Sequence, residues 1–308
     1  LSTGSASTGV AGGFMYNSVD SINNAYIHDA IISVDGNTSN EDEAISIDAI
    51  NEEEILNIAI GGAVAPKGNT VVGQVGINRI DNVTTASMLD SNIIAGEKIA
   101  VNATDKAKIQ SYIGSGSGTG KAFVGIGASV GVQDIDATTT AKIENSSIAG
   151  TSESIYGDLE VSAQEESEIV SIVGTASGGL ANMSGAFSVS ANDVDTSTNA
   201  YIDSDENIKA NAIKVATKNL ANSTTGVGSV SVGKISVGMA TAIALSDNVV
   251  NAYLKGDDNS DSEINGFSAN SIDVTADNIY NGDADYTNED NTTAKTVAIG
   301  GGVGTGEF

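Results

Sequence analysis

Apolar and polar positions alternate with period two along most of this chain. Five short segments share one form: Ile45 to Ala49, Ile99 to Ala103, Leu159 to Ala163, Ile213 to Thr217 and Ile272 to Ala276. Each places two or three apolar side chains on one face and polar ones on the other, the signal of a half-buried strand. A longer alternation runs through Val124, Ile126, Ala128, Val130 and Val132, with Gly125, Gly127, Ser129 and Gly131 between them. Read locally, its apolar face belongs inside, and the Gly/Ser face outside would leave a nearly bare sheet for another surface to lie against. Ala186–Ala191 and Ile235–Ile243 repeat the segment. The expected class is all-β.

The alternation is organised by a repeat. An Asp stands five residues before an Ala, and an apolar residue two after it, at Asp20/Ala25, Asp81/Ala86, Asp136/Ala141, Asp195/Ala200 and Asp247/Ala252. Four copies carry an amide eight residues before the Ala: Asn17, Asn78, Gln133 and Asn192, with Ala244 in the fifth. Self-similarity at a period of 52–61 residues marks a stacked-repeat architecture. From Ile47 to Ala86, Val101 to Ala141, Val161 to Ala200 and Val215 to Ala252 the separations are 39, 40, 39 and 37. From each anchor Ala to the next strand centre (Ala25 to Ile47, and so on) they are 22, 15, 20, 15 and 22.

One interval is nearly fixed and the other varies. Two coils of about 20 residues would fill the first, and one coil with an optional loop the second. The expectation is a parallel β-solenoid with about three coils per repeat. Some sixteen coils, about 4.8 Å apart, would form a rod of roughly 75 Å. The whole of 1–308 reads as one solenoid segment with repeats near 10–72, 73–121, 122–185, 186–236 and 237–296. A further unit starts over 297–308, because Val297–Val303 repeats Ile58–Val64. The matching phase at both ends suggests units cut from a longer array.

Composition narrows the chemistry. With no Trp, no Cys and few aromatics, the core must be thin and carries no disulfide. A net charge of -27 opposes nucleic acid and anionic membrane surfaces. No apolar run is long enough to span a bilayer, so this segment is not expected to insert into a membrane. The N-terminus lacks the features of a signal peptide, so any export signal lies outside the sequence. His28, the single histidine, reads as a surface or turn residue; one His and no Cys give no zinc set. Gly114–Lys121 misses the phosphate-loop spacing and reads as a turn between coils. The recurrent Asp reads as a turn former bonding to backbone, with calcium binding as the alternative, and the amide column as an inward or edge group bonding to backbone; with three coils between copies, neither would form a direct ladder. Calcium is the cofactor to weigh, through Asp35, Asp42, Asp257, Asp258, Asp261, Asp283 and Asp285 in acidic insertions. No EF-hand loop is complete, because Asn288 and Ala294 stand where Gly and Glu would be needed after Asp283. No catalytic set and no other cofactor-binding residues are identified.

The pattern of residues 124–143, followed by Leu159–Ala163, resembles the repeats of very large exported bacterial filamentous proteins, the fusobacterial leukotoxin and filamentous-adhesin group. The resemblance extends over all five units and implies a right-handed β-helix. It also implies two-partner or autotransporter (type V) secretion through an outer-membrane transport partner, and a secreted or cell-surface location. The expected role is a non-enzymatic virulence segment: a rigid rod displaying acidic loops to a host receptor on leukocytes or epithelium. Two alternatives stand beside it: a calcium-binding solenoid module, and a β-helical carbohydrate-active enzyme with paired carboxylates in one groove.

Overall fold

The computed structural model describes residues 2–3, 8–34, 43–120, 123–151, 156–180, 182–256, 266–279 and 294–304. Among them there is no helix: the chain is a right-handed parallel β-helix of three parallel sheets. A leading sheet contains Thr8–His28, Asn69–Leu89, Val124–Glu144 and Met183–Asp203, then the broken strand Ile235–Ala244 and Asp247–Lys255. A narrow edge sheet contains Ile31–Val34, Asn92–Ala95, Ser147–Ala149, Ile208–Lys209 and Phe267–Ser268. A trailing sheet contains Glu43–Ala65, Lys98–Thr119, Leu159–Gly179 and Ala212–Gly233, then Ser271–Ile279 and Ala294–Gly304. Ser2–Thr3 pairs onto its first long strand.

The register corrects the expected coil count. Ala25, Ala86, Ala141, Ala200 and Ala252 are successive Cα partners, so each repeat is one coil, not three. A 21-residue strand extends about 70 Å, while five rungs stack to only about 25 Å. The shape is a flattened plate, not a slender rod. Tyr201 and Tyr253, neighbours in one outward column, stack with centroids 4.8 Å apart and planes 4° from parallel.

This geometry explains the two intervals. The near-constant one runs along a trailing strand, round a tight turn and back along a leading strand. Its length is set by two long strands that must match the rung below. The variable one crosses the corners around the edge sheet, where insertions disturb no pairing. The gaps 35–42, 150–158 and 256–266 all flank that sheet. Gly114–Thr119, expected as a turn, lies within a long strand.

The interior is banded from the edge sheet to the tight turn. Nearest the edge sheet is an aliphatic cluster that includes Ile47, Met88, Val101, Ile143, Leu159 and Ile202. A polar layer containing Asp105 and Glu165 follows, both fully buried. Beyond it lie a second aliphatic cluster around Ile80, Ile109, Ile135 and Ile169 and an amide layer. In that layer Asn17 and Asn57 donate to Asn78 Oδ1 at 2.8 and 3.0 Å, and Asn78 donates to Ser111 at 3.3 Å. The amide column is therefore inward, as expected, but Asn17 and Asn78 bond to each other and to side chains. Asn192 has the expected backbone partner, donating to the Thr224 carbonyl at 3.3 Å. Last come Ile113 and Val173, then hydroxyls such as Ser115, Ser129, Thr175 and Ser188, linked at 2.9 Å.

The expected facing of the 124–132 segment is inverted. Gly125, Gly127, Ser129 and Gly131 point inward and are buried, while Val124, Ile126, Ala128, Val130 and Val132 point outward. The reason is parity. Ile135, Ala137, Ala141 and Ile143 are buried, and the strand runs without a register shift from Val124 to Glu144. All odd-numbered residues must then share the inner face.

Candidate functional site

The recurrent Asp residues, expected to turn the chain, lie within or at the start of leading strands and face outward. Asp20, Asp81, Asp136, Asp195 and Asp247 form a direct ladder over five rungs. Asp134 and Asp193 extend it sideways, two residues earlier in their strands. Arg79 sits in the same neighbouring column, 2.9 Å from Asp81 and 3.5 Å from Asp134. Burial raises the Asp134 carboxyl above its ordinary range despite Arg79, helped by Asp193, Asp136 and Asp81. Burial, then the charges of Asp193, Asp247, Asp136 and Asp134, raises Asp195.

The trailing sheet handles charge differently. Glu43, Lys98, Glu160 and Lys214 alternate in sign, with Lys98 3.2 Å from Glu43 and 2.7 Å from Glu160, and Lys214 2.8 Å from Glu160. Two columns, Glu52/Lys106/Glu166 and Glu54/Lys108/Glu168, alternate along the register as well and border a depression of about 480 Å³. The carboxylates of this depression, the nearest counterpart to an enzyme's acidic groove, are thus interleaved with lysines. Like charges placed opposite one another destabilise a sheet, and beyond Arg79 at Asp81 the Asp ladder lacks the alternation of sign built into the trailing sheet. Asp195→Asn should raise stability by a few tenths to about 1 kcal/mol at low ionic strength. The gain should shrink in about 0.5 M salt. An unchanged or lower urea midpoint for the variant would count against repulsion along the ladder.

At the corner beside this face the chain enters the edge sheet through left-handed residues, Asp29 (φ 51°), Asp90 (φ 49°) and Asn145 (φ 47°). Asp and Asn tolerate this conformation better than other residues with a Cβ. Their backbone N–H groups donate to the carbonyls of Leu89, Glu144 and Asp203 on the next rung. His28 Nε2 lies 3.6 Å from Asp29 Oδ2 and 3.4 Å from Asp90 Oδ2. All three residues are exposed, and their ligand atoms lie within 4.8 Å of one another. His28 is a surface residue beside a turn, as its sequence suggests. Its neighbour Asp90 was hidden because one rung equals a whole repeat. The seven acidic calcium candidates, Asp35, Asp42, Asp257, Asp258, Asp261, Asp283 and Asp285, lie outside the described residues.

Away from the edge sheet, both broad outer faces turn aliphatic. Val71 and Ile126 share one column of the leading sheet, and Ile77, Val132 and Ile243 another. Ile58, Ile172 and Val297, more than half exposed, share a column of the trailing sheet in which Tyr112 and Gly226 stand between them. Fold and surface together define a β-helical repeat protein that presents the same outer pattern on successive rungs. A scan against protein-family models and searches of curated proteins and of solved structures found no match to this chain.

Proposed function

We propose that this chain is a structural and interaction segment of a secreted bacterial filamentous adhesin or leukotoxin. It holds repeated surfaces and corner loops against a receptor on leukocytes or epithelium. The observation that carries the reading is the register-locked set of exposed, largely apolar columns, beside insertions gathered around one edge. Contiguous apolar surface of this kind marks interaction sites, and loops on a rigid scaffold commonly carry binding. Secretion by a type V route, through an outer-membrane partner, belongs to the same proposal.

Flow cytometry with the labelled chain tests it. Saturable binding to leukocytes or epithelial cells is expected. It should fall at least tenfold when loops 35–43 and 255–266 are trimmed, or when Ile126 and Val132 are changed to Lys. A chain that binds neither cell type would be a spacer, and the interaction reading would fall.

The Asp ladder, which among the described residues a cation meets only at Asp81 through Arg79, favours a second reading, surface binding of calcium. Oxygen ligands suit that ion, and binding to the folded state stabilises it by mass action. Millimolar calcium should raise the melting temperature by several degrees, and the Asp136→Asn/Asp195→Asn double variant should lose the gain. No shift in the unmodified chain would remove this reading.

A further inference from the structure

The polar layer nearest the edge sheet has an imbalance that the outer surfaces do not explain. Asp105 and Glu165 are Cα partners on adjacent rungs, and both carboxylates are fully buried. Among the described residues no Lys, Arg or His is buried with them. Buried carboxylates are ordinarily paired with a cation or bound to a metal. The other groups in the layer supply oxygen and amide donors but no positive charge. Asn51 and Asn82 donate to Asp105 at 3.1 Å, and Thr84 at 2.6 Å. Thr139 and Ser167 donate to Glu165 at 2.6 and 2.7 Å.

Three further oxygens in the layer have no protein partner at all. Asn82 Oδ1 belongs to the amide whose nitrogen bonds to Asp105. Asn219 Oδ1 stands on the Cα partner of Glu165 in the next rung. Thr198 Oγ1 stands on the Cα partner of Thr139. All three residues are at most 1% exposed. Buried polar atoms are almost always satisfied, and an amide oxygen can accept a hydrogen bond or a cation but cannot donate. Asn82 Oδ1, on the rung of Asp105, lies beside two carboxylates that no buried cation faces among the described residues, and together they point to a missing positive ligand. The oxygens occupy both walls of the interior over three successive rungs. Rungs about 4.8 Å apart leave oxygens on neighbouring strands separated by about twice a calcium–oxygen bond.

We propose that Asp105 and Glu165, with Asn82 and Thr139 facing them on the same two neighbouring rungs, form an interior site for one hard divalent cation of the calcium class. An all-oxygen donor set selects such an ion over softer metals. The site closes as the coils stack, so the ion is taken up during folding and joins the leading and trailing sheets through the plate. This site is separate from the outer Asp ladder and independent of the adhesive reading.

The test refolds the full chain from urea in calcium chloride or in EGTA, passes it through calcium-free gel filtration, and counts retained metal by atomic emission. The expected result is one calcium per chain, retained by Asp195→Asn and reduced at least tenfold by Glu165→Gln or Asp105→Asn. Retention of no calcium would overturn the proposal. So would loss with Asp195→Asn but not with Glu165→Gln, which would place the ion on the outer ladder. If the interior variants fail to fold, europium bound to the unmodified chain gives a second reading through its luminescence lifetimes in H2O and D2O. At most one coordinated water supports the interior site, and several coordinated waters overturn it.

Discussion

In cation-free buffer the protein should lose about 3–5 kcal/mol of stability between pH 5 and pH 9, most of it through Glu165. Burial, reinforced by the nearby Asp105 charge, raises this carboxyl from 4.5 to about 8, against the lowering effect of bonds from Thr139 and Ser167. An acid whose folded pKa is raised keeps its proton in the folded state after the unfolded chain has released it. The folded state then binds more protons throughout the interval, so stability falls as pH rises. The contribution is complete below about pH 4.5, declines through neutrality and is gone above about pH 8. Glu53, raised chiefly by burial, and Asp134 and Asp195 push in the same direction.

Glu165→Gln keeps the shape and one acceptor oxygen, with the hydroxyl facing its amide nitrogen turning to accept, but cannot ionise. Its urea midpoint should change much less from pH 5 to pH 9, and above pH 8 it should exceed that of the unmodified chain. Parallel pH profiles for the two proteins would show that the buried carboxyl does not control the dependence.

The second large effect tests which face of the 124–132 strand is inside. A Cβ on Gly131 would lie 2.9 Å from Val173 Cγ2 and 3.1 Å from Ile113 Cδ1, so the interior there is already full. Gly131→Val should destabilise by roughly 1–3 kcal/mol through overpacking. Val130→Thr, at a half-buried outward position, should stay within about 0.5 kcal/mol. The opposite facing predicts the opposite order: Val130→Thr would place a hydroxyl in an apolar core, and Gly131→Val would decorate the surface. Urea denaturation of the two single variants decides between them.

How much of this was legible in the sequence varies residue by residue. Ile45, Ile47 and Ala49, with their counterparts in the next three repeats, are buried strand residues as the alternation predicts, because one apolar face repeats there without conflict; Ile272 and Val274 on the last rung are exposed. The fixed and variable intervals were equally legible, and they located the insertions. Strand length was not. Alternation looks the same in a strand of six residues or twenty-one, and ordinary strands are short, so 39 residues were divided into two coils. With the wrong coil count, the Asp ladder, the amide contacts and the His28–Asp90 approach all became invisible, since each depends on residues about one repeat apart being neighbours.

The chain's own pattern thus determined an all-β stack of repeats, its phase and its acidic surface, because periodicity and charge are local properties of residue order. Only the folded molecule decided which residues meet and which face is buried. Between Val132 and Ile135 the apolar positions shift from even to odd, and a continuous strand can bury only one parity. The packing retained the larger side chains near the edge sheet and left glycine and serine to fill the narrow space opposite Ile113 and Val173. That choice depends on the opposing sheet, so no stretch of sequence taken alone records it.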